Sequence, residues 1–443
     1  MEDKKDNEKI ELTVLKGDKL FNQNTPFVIN LSSKDPDINS KRCNADLICV
    51  IDTSSSMRGK KIYQVKESLK ILIDLMDKND RLALILFNRK ATKLFDLQLL
   101  TKQNKIDLKK QIDLFETNKG TNILSGLKLA IDILKKEKEE NNEEGRVSSV
   151  LLLSDGCDSR YNDIQLADSL KKMTKGLELE FTLHTFGYGN YYDDKIMKKL
   201  AVLRDGSFYY VEDYNKVSEY FACVLGGCIS VLSKRAQLNV NLLNKNCKIV
   251  KIFGGENLYE YELNDDNFQT TMLQFICGKE YSFVLEIQID ENNIKIGEEF
   301  LEANFEFEDI SQNNKIINEY IKYNYELSSL NYKKANEEYI RSQVYDILAQ
   351  VMKLRENGEK DKAKEMLVEI KEWINTKYEG DNKDYLIDIE KSYELFGNNA
   401  SFVNASVKLI SSQIIQNQSK KQGSNMNFCN SIQRNLMQSI SNN

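Results

Sequence analysis

Between Asp46 and Gly227, short and almost uninterrupted apolar runs take turns with stretches of helical period. That alternation restricts the fold more than any other feature of the chain. Leu47-Ile-Cys-Val-Ile51 and Val147-Ser-Ser-Val-Leu-Leu-Leu153 read as parallel strands covered on both faces. Gly59 to Asp77 places Ile62, Val65, Leu69, Leu72, Ile73 and Met76 on one face of a helix. Arg81 to Phe87 reads as a second strand and Thr92 to Leu100 as a third, antiparallel one. Asp107–Phe115 and Asn122–Lys136 read as helices, and Lys135–Glu144 as a frayed helix end and solvated loop. Further on, helices are predicted over Ile164–Met173, Asp194–Leu203 and Tyr214–Val224, with strands over Leu177–Gly187 and Ser207–Val211. Such repetition implies a doubly wound α/β sheet, whose ligand crevice lies at the carboxyl ends of the strands.

Outside that region the period changes. From Leu238 to Tyr325 apolar and polar residues alternate, as in Tyr281, Phe283, Leu285, Ile287 and Ile289, which predicts an antiparallel β-sandwich. Leu12–Leu15 and Phe27–Leu31 also read as strands. Pairing them with the later strands would insert the α/β domain into a discontinuous sandwich. Past Asn331, one stripe (Val344, Ile347, Leu348, Val351, Met352) and a second (Ala363, Met366, Leu367, Ile370, Trp373, Ile374) flank Asn357-Gly358, a helical hairpin with a left-handed stop between its arms. The expected division is 1–43 for the N-terminal strands, 44–230 for the α/β domain, 231–326 for the sandwich and 327–410 for the hairpin region. The Ser-, Asn- and Gln-rich stretch 411–443 is expected to be a mobile tail.

Composition excludes several roles. A net charge of −6 argues against a nucleic-acid binder, which needs a basic surface. No apolar run reaches the roughly 20 residues of a membrane-spanning helix. The stretch after Met1 lacks the apolar core of a secretory signal, so a cytoplasmic location is expected. Eight cysteines are scattered with no Cys-x-x-Cys pair and there is one histidine, His184. Clustered zinc ligands are therefore absent, and reduced thiols are expected.

Three segments carry the chemistry: Asp52-Thr-Ser54-Ser-Ser56 after the first buried strand, Gly120-Thr121-Asn122 at a helix start, and Ser154-Asp155-Gly156 after the Leu151–Leu153 strand. In a doubly wound sheet all three fall at one edge. Each is common alone, whereas their joint occurrence in this context is specific. Two carboxylates and three hydroxyls then converge. That set suits Mg²⁺, or Mn²⁺, which takes oxygen ligands, few carboxylates and retained waters. Two aspartates balance the ion's charge, and an open position is left for a carboxylate from a partner protein.

The stretch from Asp46 to about Gly227 resembles von Willebrand factor type A (VWA) domains. Leu47–Ser56, Arg81-Leu-Ala-Leu-Ile-Leu-Phe87, Gly120-Thr-Asn-Ile-Leu-Ser-Gly-Leu127 and Val150-Leu-Leu-Leu-Ser-Asp-Gly156 match the family's landmarks. The resemblance implies a Rossmann-like fold and a metal-ion-dependent adhesion site in which Ser54, Ser56 and Thr121 ligate the metal. It further implies that Asp52 and Asp155 bind it directly or through water. Ser55 departs from the pattern, since many members carry Gly there. The flanking layout is similar to that of VWA ubiquitin ligases with a RING, but this chain has no RING ligands, so that activity is not carried over.

Other readings are less well served by the residues. His184 lies inside Phe181–Phe186 with no Gly-x-Ser-x-Gly elbow to serve and reads as a satisfied sheet histidine. Phosphotransferases with an Asp nucleophile usually carry a second carboxylate two residues on, where this chain has Ser54. The alternative to a metal-dependent binding module is a metal-independent scaffold or adaptor in a larger complex, a ubiquitin-related one included; no catalytic residue is expected. Cys157 reads as a small filler, and Lys60 and Lys61 as solvated charge.

Overall fold

The structure, a computed structural model, describes residues 10–35, 42–140, 145–155, 158, 160–177, 179–188, 194–211, 214–254, 261–310, 315–324, 332–377, 383–394, 396 and 431–441. The first described strands, β1 (Ile10–Lys16) and β2 (Thr25–Ser33), pair antiparallel and precede the α/β domain. That domain contains β3 (Asn44–Asp52), β4 (Arg81–Phe87), β5 (Ala91–Leu99), β6 (Arg146–Ser154), β7 (Phe181–Tyr188) and β8 (Phe208–Val211). Its sheet runs β5-β4-β3-β6-β7-β8, parallel throughout except for β5.

Strand alternation explains the two layers of helices. Leu47, Cys49 and Ile51 of β3 face one core, while Ile48 and Val50 face another. The first core is closed by α1 (Lys60–Leu75), α2 (Lys102–Leu114) and α6 (Tyr214–Ile229), through Val65, Leu69, Leu108 and Phe221. The second is closed by α3 (Ile123–Glu140), α4 (Asp163–Thr174) and α5 (Asp194–Leu203), through Leu127, Ile131, Leu166 and Leu200. Burying both faces is what the continuously apolar strands require. The strand predicted from Leu177 begins only at Phe181. Gly176, at φ +73°, and a local turn from Leu177 N–H to Thr174 O delay it.

The chain then passes into β9 (Val231–Leu242), β10 (Cys247–Ile252), β11 (Tyr261–Leu263), β12 (Asn267–Met272), β13 (Phe275–Ile276), β14 (Glu280–Ile289), β15 (Glu299–Asp309) and β16 (Lys315–Asn324). One sheet has the order β1-β2-β14-β10. The other runs β11-β12-β9-β15-β16, with β13 also on β9. β2 pairs with β14 in the register Ile29↔Phe283, so the early strands do join the late ones and the α/β domain is an insertion in the sandwich. Ile29, Leu31, Leu238, Val240, Leu285 and Phe305 fill the shared core.

Helices α7 (Tyr332–Glu356) and α8 (Lys360–Lys377) form the hairpin. Its turn is closed by Gly358 N–H to Arg355 O (3.1 Å) and Glu359 N–H to Leu354 O (2.9 Å), with Gly358 at φ +86°. A third helix, α9 (Lys383–Glu394), was not anticipated; it adds Ile389 to the hairpin core, and Tyr345 Oη donates to Asp388 Oδ2 at 2.9 Å. A second difference concerns the expected tail. Its residues Ser431–Ser441 form α10, which lies on α6: Gln433 Nε2 donates to Cys223 O at 2.7 Å, and Met437 packs on Ala222 and Cys223. No described helix is long and apolar enough to cross a membrane.

The sandwich attaches at the amino-terminal edge of the α/β sheet. Gln274 Nε2 donates to Ser148 O at 3.1 Å, and Leu273 N–H to Asp205 Oδ2 at 3.1 Å. The carboxyl edge, where ligands of this fold bind, is the opposite end.

Candidate metal centre

β3 ends at Asp52, whose side chain is fully buried. Thr53 turns the chain by anchoring to β4, with its N–H and Oγ1 both donating to Phe87 O, at 2.8 and 2.9 Å. Ser55–Met57 make one 3₁₀ turn, pinned by the buried Met57, and Gly59 at φ +83° leads into α1. Asp52 Oδ1 accepts the Ser54 N–H at 2.8 Å, while Ser54 Oγ and Ser56 Oγ share a hydrogen bond of 2.8 Å. Ser55, where many VWA domains carry glycine, points its extra atoms to solvent, since the residue is exposed.

Parallel register delivers the second segment. Ile51 of β3 pairs with Leu153 of β6, which sets the next residues side by side, and Ser154 Oγ donates to Asp52 Oδ2 at 2.6 Å. Asp155 follows, 1% exposed. Its Oδ2 accepts Lys61 Nζ at 2.9 Å, and its Oδ1 is buried with no hydrogen-bond partner among the described residues. Burial pushes the Asp52 carboxyl up to about 6. The hydrogen bonds from Ser154 and Ser54 act against that rise, and the charge of Asp155 adds to it.

The third segment is tied in by backbone. Asn118 N–H donates to Thr53 O at 2.7 Å, and Asn118 forms a parallel bridge with Ser54. Gly120 has φ +90°, a conformation that favours glycine, and a Cβ there would stand 2.3 Å from Cγ of the exposed Arg89, whose side chain would have to shift. Thr121 follows, half-buried, just before α3. On its other side, Asp158 Oδ2 accepts the Ile123 N–H at 2.9 Å. Each of the three segments is thus bonded to the other two, directly or through residues flanking it in the chain. The structure links Asp52, Ser54 and Ser56 by direct hydrogen bonds, brings Asp155 beside them through Ser154, and places Thr121 through its backbone neighbours. Gly156 and Cys157 lie outside the described residues.

From sequence alone Ser154 has no role within its segment, Lys61 reads as solvated charge and Asp158 is not singled out. Lys61 in particular is not free solvated charge. The register of two parallel strands was a usable signal for Ser154; nothing local marks the other two. His184 is a satisfied sheet residue, its Nδ1 accepting from Ser207 N–H at 3.1 Å and its Nε2 lying 3.2 Å from Thr182 Oγ1. The six described cysteines are free thiols.

Among the described residues no three His, Cys, Asp or Glu side chains gather into a metal-holding group. The cup instead combines two carboxylates with hydroxyls, hard oxygen donors of the type a small divalent cation prefers. A buried carboxylate oxygen without a partner is costly, and a cation placed there would satisfy it.

A doubly wound sheet with an aspartate–hydroxyl cup at its carboxyl edge defines an α/β domain of the von Willebrand factor type A class. The von Willebrand factor type A family model matches residues 46–222, and that stretch of the chain is a VWA domain. An uncharacterised Synechocystis protein, sll0103, is 29% identical over 218 residues, covering 48% of this chain and 49% of its own. Human inter-alpha-trypsin inhibitor heavy chain H2 is 32% identical over 161 residues, 35% of this chain and 17% of its own. The chain thus spans half or less of these curated relatives. The solved von Willebrand factor type A protein from Catenulispora acidiphila superposes with a TM-score of 0.70 at 13% identity, covering 93% of this chain and 97% of that one. The ArnB paralog VWA2 from Sulfolobus acidocaldarius gives 0.57 at 15% identity, over 93% and 99%. Likeness at such identity shows the fold.

Proposed function

We propose that the α/β domain holds one Mg²⁺ or Mn²⁺ through Asp52, Ser54, Ser56, Thr121 and Asp155, and uses it to bind an acidic side chain of a partner protein. The observation that carries this reading is the pair of buried aspartates. Asp52 has its carboxyl pushed up by burial, and Asp155 keeps one buried oxygen unpartnered. A cation would compensate the buried charge of Asp52 and occupy the Asp155 oxygen that Lys61 leaves open. Ser54 and Ser56 present hydroxyl oxygens on the same loop, which fill coordination positions without adding negative charge. Bound there, the ion would supply an electrophilic position for a carboxylate oxygen. The residues around it hold the cup open: Thr53 and Met57 fix one wall, and the Gly120 turn fixes another.

VWA domains form a family of protein-interaction modules, which agrees with binding as the task. A catalytic reading is served less well by the described residues. Both ring nitrogens of His184 are engaged inside the sheet, and Ser54 stands where an aspartyl phosphotransferase would need a second acid.

The test is affinity purification with the full chain, with and without EDTA, beside Asp52→Ala. Partner proteins should be released by EDTA and absent from the variant. Partners retained under both conditions would favour a metal-independent scaffold.

A further inference from the structure

We infer that Lys61 sets the charge of the centre, lowering its affinity for the divalent cation and raising the affinity of the loaded centre for a single carboxylate; this rests on the divalent-cation reading above. Lys61 sits in the first turn of α1, where no acidic residue is present. A cation at a helix amino terminus works against the helix dipole, so helix stability does not explain it. Its neighbour Lys60 is exposed, whereas Lys61 is drawn in, its side chain 26% exposed against 1% for its partner Asp155.

The bond is also selective. Lys61 Nζ takes Oδ2 of Asp155 at 2.9 Å and leaves Oδ1 as the oxygen open to a cation. One carboxylate is thereby shared between an ammonium group and the metal position, and neither has to displace the other.

The net charge of the centre governs both affinities. Two ionised aspartates and a divalent cation are together neutral, and a neutral cup attracts an incoming anion weakly. Lys61 leaves the loaded centre with one net positive charge, which a single carboxylate cancels. The same ammonium repels the cation on its way in. A part-buried site screens these interactions less than water does, so one unit charge a few ångströms away has measurable weight.

The experiment compares wild type, Lys61→Met and Lys61→Arg as full chains. Mn²⁺ binding is read from the free-ion electron paramagnetic resonance signal. Acetate is then titrated onto the Mn²⁺-loaded proteins at constant ionic strength, with water-proton relaxation as the readout. Lys61→Met should bind Mn²⁺ about tenfold more tightly and acetate about tenfold more weakly, and Lys61→Arg should resemble wild type on both counts. If Lys61→Met is poorly folded by circular dichroism, Lys61→Gln takes its place with the same expectation. Wild type that binds Mn²⁺ alongside a charge-neutral variant with unchanged or weaker Mn²⁺ affinity, or unchanged acetate affinity, overturns this inference alone. Wild type that takes up no Mn²⁺ overturns the divalent reading itself, and the inference with it.

Discussion

Asp158 Oδ2 accepts the backbone N–H of Ile123 at 2.9 Å, and so ties the loop after β6 to the first turn of α3. It supports the centre without being one of its proposed ligands. Asp158→Ala removes a capping bond and should cost about 1 kcal/mol of stability. It should also weaken Mn²⁺ binding severalfold, because Thr121 is then held from one side only. Urea unfolding and a Mn²⁺ titration of the same variant check both numbers. An unchanged titration would show that Thr121 needs no such support.

Ser154 Oγ donates to the fully buried Asp52 at 2.6 Å. Hydrogen bonds to charged groups contribute more than neutral ones, so Ser154→Ala should destabilise the protein by about 2 kcal/mol. Saturating Mg²⁺ should recover part of that loss, because the cation compensates the Asp52 oxygen that the variant leaves without its donor and so stabilises the variant more than wild type. Chemical denaturation in EDTA and in excess Mg²⁺ gives the comparison. Equal losses in the two buffers would argue that the bond is structural only.

At the opposite edge of the sheet Asp46 is clamped by two arginines. Arg81 binds it through Nε (2.8 Å) and Nη2 (2.6 Å), and Arg146 through Nε (2.8 Å). All three side chains are 11% exposed or less. Removing one partner of a buried ion pair strands the others, so Asp46→Ala should cost about 3 kcal/mol or more. Its Mn²⁺ affinity should stay within twofold of wild type while the protein is folded. A large change in affinity would mean that the two edges of the sheet are coupled.

These cases show which parts were legible from residues alone. The sheet was, because Leu47–Ile51 and Leu151–Leu153 are too continuously apolar for anything but strands buried on two faces. So was the aspartate–hydroxyl loop, since Asp52, Ser54 and Ser56 lie within one turn of chain and bond locally. The partners of those groups were not. Lys61 and Asp155 are joined through space, and a lysine at a helix start resembles solvated charge until its partner is placed. α10 was hidden by composition: Ile432, Leu436 and Met437 have helical spacing, but the surrounding Ser, Asn and Gln suggest mobility, and only the α6 face gives the stripe something to cover. α9 was missed for a related reason, as Tyr385, Leu386 and Ile389 make a short stripe whose value depends on the hairpin beside it.

The most direct measurement is an anomalous difference map from crystals of the full chain soaked in Mn²⁺. One strong peak is predicted, within ligand distance of Ser54 and Ser56 and enclosed by Asp52, Thr121 and Asp155, and it should vanish in Asp155→Ala crystals. A wild-type map with no peak there, or with those five side chains turned away from a common point, would contradict the account.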